Sequence, residues 1–499
     1  MVVVAIDAGT TGVRCMLVRP DGVPISISRR NWDYITPPDL EIAKEFDPTH
    51  FWHLICTVVK EAVKTSGITP STLESVATTS QRHGSVFLDA KGKEVYAGPN
   101  IDARGAMTQY IIEESLGARY HEITGCWPPL MFSPSRLSWF EEEEPNLFES
   151  IAHLLPINDW ISYKLGNIFV TDPSSGSATG FLDIRQCEWS DEVIEAVGVS
   201  RDILPEIYEP GSVIGEITTE AAKECGLPKG LPIVQGAADT HCALLASDAQ
   251  PNEVVIIAGS TAPVMMILDD LYCDPEQKIW TGCDLQKGRW VLESNATLTG
   301  ANLEWVVRLL CDRAENPADC VKTTLNTLDE LLVDIPPGSN ETLIGLGPSI
   351  MDCQRITDVK QARMRFPQPA LPQIVPLTAK TMIHAVLENI AYAARGNLEQ
   401  LEAHQEFSSI KTIGGMTQSK IWSILLANVI GKPVHTPIQP EGSLIGAAIC
   451  AVKGVGHYSS LSDSAKNMVK WRPVSEPDGR ATLYESYYTK WKSMWCEGD

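Results

Sequence analysis

Two carboxylates in this 499-residue chain stand where an apolar run stops and a turn or helix begins. Asp7 ends the run Val2-Val-Val-Ala-Ile6 and is followed by Ala8-Gly9-Thr10-Thr11-Gly12. A glycine followed by hydroxyl residues presents backbone N–H groups and hydroxyls to an anion, so Gly9, Thr10 and Thr11 form a candidate phosphate cradle. A carboxylate beside such a cradle repels phosphate unless a cation lies between them, which makes Mg2+ the expected partner of Asp7. Arg14, on the return strand, can offset part of the phosphate charge. Asp239 ends a second apolar run, 231–237, at Gly236-Ala-Ala-Asp239 and opens the helical stretch Thr240-His-Cys-Ala-Leu-Leu-Ala246. Taken alone it fits a helix cap. Taken with a phosphate cradle it fits a general base that orients an attacking hydroxyl and accepts its proton.

The cradle has a counterpart half a chain away. Residues 2–18 and 254–268 share a β-branched run, then Ala-Gly-[Thr/Ser]-Thr, then a second apolar run. Both predict strand–turn–strand hairpins, the second with Gly259, Ser260 and Thr261 at its tip. Two such hairpins suggest two similarly built lobes meeting at a cleft. Neither a P-loop nor a dinucleotide fingerprint occurs: there is no GxxxxGK[ST], and Gly345-Leu-Gly347 lacks a third glycine at the required spacing. Gly414-Gly415, before a helix predicted at 418–430, would let a nucleotide approach the backbone closely. Polar side chains crowd into 81–104, as Gln81-Arg82-His83-Gly84 and Asn100-Ile-Asp102-Ala-Arg104, the kind of set that grips several vicinal hydroxyls.

The elements that must position these groups alternate between helix and strand, as in mixed α/β lobes. Helix-period apolars predict helices at 47–66, 381–403 and 443–453; strands are expected at 75–80, 84–88 and 410–415. The segment 355–375, rich in Pro, Arg and Gln, reads as irregular. A lobe boundary near 246–253 divides the chain into 1–247 and 248–499. The formal net charge of −23 argues against nucleic acid and anionic membrane as standing partners, so an anionic ligand must be held by local amides, cations or metal. The N-terminal apolar run is too short for a signal peptide, and no stretch is long enough to span a bilayer. The 13 cysteines are scattered without metal-like spacing, which fits reduced, mostly buried thiols in a cytoplasmic protein.

The chain resembles the FGGY carbohydrate kinases over essentially its whole length. Met131-Phe-Ser-Pro-Ser-Arg-Leu-Ser-Trp139-Phe-Glu-Glu-Glu143 is close to the family's first signature, with Arg136 where lysine is usual. Met382-Ile-His-Ala-Val-Leu-Glu388 fits the end of the second, whose glycine-bearing half is missing around Pro376. Gly414-Gly-Met-Thr-Gln-Ser-Lys-Ile-Trp422, Gly431-Lys-Pro-Val434 and Glu441-Gly-Ser-Leu-Ile-Gly446 follow the ATP-side pattern. The resemblance implies a two-lobed actin-like (ribonuclease H-like) α/β fold flanking a central cleft, and ATP-dependent phosphorylation of a small sugar or polyol. By it, Asp239 is the base and Asp7, with Asp239, serves Mg2+. Gly9, Thr10, Thr11, Arg14, Gly259, Ser260, Thr261 and Gly300 surround the phosphates or ribose. Gly414, Gly415, Met416 and Ser419 line the adenosine end. Gln81, Arg82, His83, Asp102, Arg104, Asp239 and Thr240 face the sugar.

Gln81-Arg82 is similar to glycerol kinases, His83-Gly84 to xylulokinases, and Asn100–Arg104 to bacterial autoinducer kinases, which act on a linear diketo-type pentose derivative. The substrate therefore stays open among ketopentoses such as xylulose or ribulose, autoinducer-type diketopentoses and polyols, and a homodimer stays open as the assembly. A silent sugar-binding regulator is disfavoured by retention of both Asp7 and Asp239. A chaperone or filament ATPase of the same fold is disfavoured by the polar set at 81–104.

Overall fold

The computed structural model describes residues 1–358, 360–368 and 377–496. The chain divides into two compact units that interleave along the sequence: Met1–Asp248, Ile267–Leu292 and Glu441–Val469 form the first, and Ala249–Met266, Glu293–Pro440 and the remainder from Lys470 form the second.

The first unit is built on a six-stranded sheet in the order Val213–Glu216, Pro232–Ala238, Leu73–Ser80, Val2–Gly9, Gly12–Val18, Pro24–Asn31. Its centre is parallel, Pro232–Ala238 to Leu73–Ser80 to Val2–Gly9, and buried on both faces. That burial explains why these strands read as unbroken apolar runs rather than as alternating ones. The hairpin predicted at 2–18 is present, Gly9 pairing with Gly12 across the turn.

Helix Pro48–Ser66 lies against Gly12–Val18 and Pro24–Asn31. Asp47 caps it by accepting from Thr49 N at 2.8 Å, and Gly67 ends it in the left-handed region at φ 68°. Its buried stripe, Phe51, Ile55, Val59 and Val63, stacks Phe51 on Trp32 with ring centroids 3.8 Å apart. Helix Gly442–Gly454, which returns to this unit from far along the chain, packs on three central strands and on helix Asp239–Leu245.

In the second unit, strands Val254–Ile257, Ile410–Ile413 and Val434–His435 follow one another in a sheet. Val254–Ile257 pairs antiparallel with Thr261–Leu268, as the predicted second hairpin requires, and parallel with Ile410–Ile413. Helix Ala379–Glu402 begins in a capping box, Thr378 and Thr381 each bonding the other's backbone N–H.

Three expectations are corrected. Strand 410–415 stops at Ile413, because Gly414 turns away at φ 118° where a side chain would strike the carbonyl of Ala258. Within 355–375, Arg363–Arg365 is not irregular but pairs with Leu343–Gly345; Val359 and 369–376, Pro376 among them, lie outside the described residues. The cysteines are not all free thiols: Cys311, ending helix Gly300–Cys311, is disulfide-bonded to Cys320 in helix Pro317–Asn326, their Cα atoms 5.9 Å apart. The short 312–316 turn folds the second helix back on the first and brings the two together. Among the described residues no helix is long and apolar enough to cross a membrane.

Candidate active site

In the first unit Asp7 lies two residues before the end of strand Val2–Gly9, and Asp239 directly follows strand Pro232–Ala238. Asp7 is buried at 1% exposure and pairs across the hairpin with Arg14. The Arg14 guanidinium bridges the carboxylates of Asp7 and Glu441 and donates to Ser443 Oγ at 3.0 Å, while Ser443 Oγ donates to Asp7 Oδ2 at 2.7 Å. All of this falls on one oxygen. Asp7 Oδ1 is buried and has no hydrogen-bond partner.

Asp239 opens helix Asp239–Leu245, and its Oδ1 accepts from Thr240 N at 2.7 Å. Its place is fixed by Gly236, whose missing side chain lets strand Pro232–Ala238 bulge against its neighbour: a Cβ there would sit 1.8 Å from Thr78 O. Burial pushes the Asp239 carboxyl up to about 7, the nearby Asp7 charge adds to this, and Arg82 opposes it. A carboxylate with that proton affinity is poised for proton transfer near neutrality. The adjacent Thr240 hydroxyl is buried and without a partner.

Beside Asp239 a recess is lined by Gln81, Arg82, His83, Gly84, Ser85, Pro156, Asn158, Ser175, Ala178, Thr179 and Ala238. His83 holds a left-handed backbone at φ 62°, and its ring lies edge-on to Phe132 and Trp280, centroids 5.1 and 5.6 Å away. Burial and then the Arg82 charge lower its pKa to about 3, so the ring is neutral. Its Nδ1 lies 3.1 Å from Ala178 O, which can only accept; Nδ1 therefore carries the hydrogen and Nε2 is an acceptor.

Gln81 is committed to the scaffold. Its amide donates to Tyr34 Oη at 3.0 Å and to Gly9 O at 3.3 Å, and accepts from Asn100 N at 2.9 Å. Asn100 in turn donates to Thr10 Oγ1 at 3.0 Å. The polar set thus braces the hairpin turn, of which Thr11 stays exposed.

Asp102 and Arg104 are not brought to the recess. Asp102 accepts from Lys44 N at 3.0 Å, from Tyr96 Oη, and from Arg104 Nε at 2.8 Å. The Arg104 guanidinium lies against the rings of Tyr96, Trp139 and Phe140, 4.7 to 5.0 Å from their centroids. Arg136, fully buried, gathers these loops by donating to the carbonyls of His83, Pro99 and Asp102.

The second unit assembles its own predicted residues around Ala258-Gly259. Gly300 N donates to Gly259 O at 3.1 Å, Thr299 N to Ser260 O at 2.9 Å, and Met416 N to Ala258 O at 3.0 Å. A Cβ on Gly300 would sit 2.5 Å from Gly259 O, so only glycine permits this approach. Ser260, Thr261 and Gly415 remain exposed beside it. Ser419 is engaged structurally, capping helix Lys420–Ile430 and donating to Asp329 Oδ1 at 2.6 Å.

Sequence reasoning assigned no role to Glu441 and Ser443, although both stand in a segment it singled out, nor to Asn158, Ser175 and Thr179. For Ser175 and Thr179 the run Asp172-Pro-Ser-Ser carried a signal, a helix cap followed by small polar residues that the structure places at the recess wall.

Residues 2–246 match the N-terminal domain and 254–455 the C-terminal domain of the FGGY family of carbohydrate kinases. The chain is 28% identical to autoinducer-2 kinase of Escherichia coli K12, over 98% of this chain and 93% of that protein. It is 29% identical to autoinducer-2 kinase of Yersinia enterocolitica, over 99% and 94%. Among solved structures it superposes on xylulose kinase from Rhodospirillum rubrum with a TM-score of 0.82 at 22% identity, covering 100% of this chain and 99% of that one. On Plasmodium falciparum glycerol kinase with ADP the TM-score is 0.80 at 16% identity, covering 99% and 97%. These likenesses show the two-domain actin-like α/β fold. With both family domains matched in order along nearly the whole chain, the protein belongs to the FGGY family of carbohydrate kinases and is an ATP-dependent sugar kinase.

Proposed function

We propose that this kinase phosphorylates a hydroxyl of a linear five-carbon keto or diketo sugar of the autoinducer-2 type, with Asp239 as general base. The observation that carries the assignment of the base is the Asp239 carboxyl itself. It sits at a strand end one residue from the recess wall, and its pKa is held at about 7 by burial and Asp7. The substrate class rests on the recess and on the relatives, which are named autoinducer-2 kinases. His83 Nε2 offers a hydroxyl an acceptor, and the positive charge of Arg82 at the recess suits carbonyl and hydroxyl oxygens.

In this scheme the sugar hydroxyl donates to Asp239, which orients it toward the γ-phosphorus of ATP and takes its proton as the O–P bond forms. The γ–β bridge breaks and ADP leaves. Thr10, Thr11 and Arg14 of the first unit and Gly259, Ser260, Thr261 and Gly300 of the second are assigned to the phosphates. Gly414, Gly415 and Met416 are assigned to the nucleoside.

The residues present also fit a divalent cation. Asp7 Oδ1 is a buried carboxylate oxygen without a partner, and Asp239 lies near enough to feel the Asp7 charge. Among the described residues no group of three or more His, Cys, Asp or Glu side chains occurs that could hold a metal, so a Mg2+ ion here would draw most of its ligands from phosphate and water. When bound, Mg2+ neutralises charge on the phosphate oxygens.

The test is an ATP-consumption screen across ketopentoses, polyols, hexuloses and autoinducer-type diketopentoses, with and without chelator. A five-carbon diketo or keto sugar should raise ATP turnover by more than about tenfold over the sugar-free rate. Stimulation by hexuloses alone would overturn the substrate assignment.

A further inference from the structure

Behind the recess lie two carboxyls that the reaction scheme does not use. Asp159 and Asp172 are both fully buried. Asp159 Oδ1 accepts from Asn158 Nδ2 at 2.8 Å and from Gln235 Nε2 at 2.9 Å. Asp172 Oδ1 accepts from Ser174 N at 2.9 Å, from Ser175 N at 3.3 Å, and from Ser174 Oγ. The other oxygen of each, Oδ2, has no hydrogen-bond partner, and neither do the buried Thr171 Oγ1 and Gln235 Oε1. Besides burial, the groups acting on Asp159 are Asp172, Thr171 and Gln235, none of them a cation. Two ionised carboxylates cannot persist side by side in an interior without compensation. A single proton between them removes the repulsion and gives both idle oxygens a partner.

The surroundings also say which group holds it. Asp172 receives two backbone N–H groups and a hydroxyl, an environment that favours the charged form, whereas Asp159 receives side-chain groups alone.

We propose that Asp159 is a buried carboxylic acid whose Oδ2–H is shared with Asp172 Oδ2, and that this pair positions Asp239. The link is short. Ser174 Oγ, which donates to Asp172, accepts from the N–H of Ala238 at 3.1 Å, and Ala238 immediately precedes Asp239. The pair also holds the recess wall, Asn158 through Asp159 and Ser175 through Asp172. Other titratable groups that feel Asp172 are the thiols of Cys187 and of Cys242 on helix Asp239–Leu245. The positioning half of the proposal rests on Asp239 being the base; the protonation half does not.

Two measurements separate these halves. Infrared difference spectra of the full-length protein at pH 8, wild type minus Asp159→Asn, should show a protonated-carboxyl C=O band. The subtraction removes contributions from Asp239 and from Glu388, whose pKa values lie near 7 and 8. Asp159→Asn keeps a donor at the shared position, so the protein should stay folded, with a cooperative thermal transition like that of wild type. Ser174→Ala, which cuts the link to Ala238 and one of the three hydrogen bonds to Asp172 Oδ1 while leaving the two from backbone N–H groups, should keep the band and lower kcat by about tenfold to a hundredfold with little change in sugar affinity. Absence of the band, or stoichiometric metal in the purified protein, would overturn the shared proton. An unchanged kcat in Ser174→Ala would overturn the positioning role. Asp239→Asn run in parallel tells that failure apart from a wrong assignment of the base, since near-normal turnover there would indict Asp239 and leave the band untouched.

Discussion

The carboxyl of Asp239 combines two demands that normally conflict, burial next to a second carboxylate and availability as a base near neutral pH. With its pKa at about 7, the group is protonated and idle at pH 6 and ionised at pH 8, so kcat/KM should rise through about pH 7 and then level off. The same shift has a stability consequence of opposite sense. A carboxyl with a raised pKa holds its proton in the folded state above the pH at which the unfolded chain has released it. Folding is therefore favoured less as pH climbs from the ordinary carboxylate range to about 7. Asp239→Asn should remove both trends. Turnover should fall by about two to four orders of magnitude while sugar binding is kept, and the variant should melt higher than wild type at pH 8, by calorimetry. A pH-independent wild-type rate would count against the assignment. Arg136 makes a different kind of prediction. It satisfies three loop carbonyls and lies 3.8 Å from Asp102 in a fully buried setting. Arg136→Ala strands those groups and should cost about 3 kcal/mol in denaturant unfolding. A loss under about 1 kcal/mol would mean that water replaces the guanidinium.

The hairpins, helix Pro48–Ser66 and helix Ala379–Glu402 were legible because each is fixed by neighbours along the chain: a run of β-branched residues, a tip with glycine, a cap, a period. The contacts that make a site were not. Glu441 and Ser443 reach Arg14 and Asp7 across 427 and 436 residues, and no spacing rule spans that distance. Nor could residue type alone distinguish Asp102 and Arg104, which are held away from the recess, from Arg82 and His83, which line it, because the difference lies in which hydrogen bonds the protein has already consumed. Glycines mark where elements touch. Gly446 lets helix Gly442–Gly454 approach helix Asp239–Leu245 so closely that a Cβ would sit 2.0 Å from Cys242 O. Gly446→Val must push the helices apart and shift the base with them. It should lower stability by about 1–3 kcal/mol and depress kcat more than sugar affinity. Unchanged kcat at reduced stability would separate packing from positioning.

Across the whole molecule the chain order and the folding units disagree, and this has a measurable result. The first unit runs to Asp248 but is completed by Ile267–Leu292 and Glu441–Val469. Helix Gly442–Gly454 is buried from Gly442 to Val452 and covers strands Val2–Gly9, Leu73–Ser80 and Pro232–Ala238. In a fragment ending at residue 248 that face of the central sheet loses its cover. Four large side chains of the missing helix, Leu444, Ile445, Ile449 and Val452, each carry about 1.5–3 kcal/mol of burial, and together they rival the roughly 5–15 kcal/mol that holds a typical domain folded. The exposed strands are apolar on the uncovered side, so the fragment should also associate. Residues 1–248 expressed alone should therefore give no cooperative thermal transition and should bind a hydrophobic dye. The full chain should melt cooperatively without dye binding. A soluble, cooperatively melting 1–248 fragment would show that the returning helix is dispensable to the sheet, and Glu441 and Ser443 would then stand beside Asp7 for some reason other than the packing of that helix.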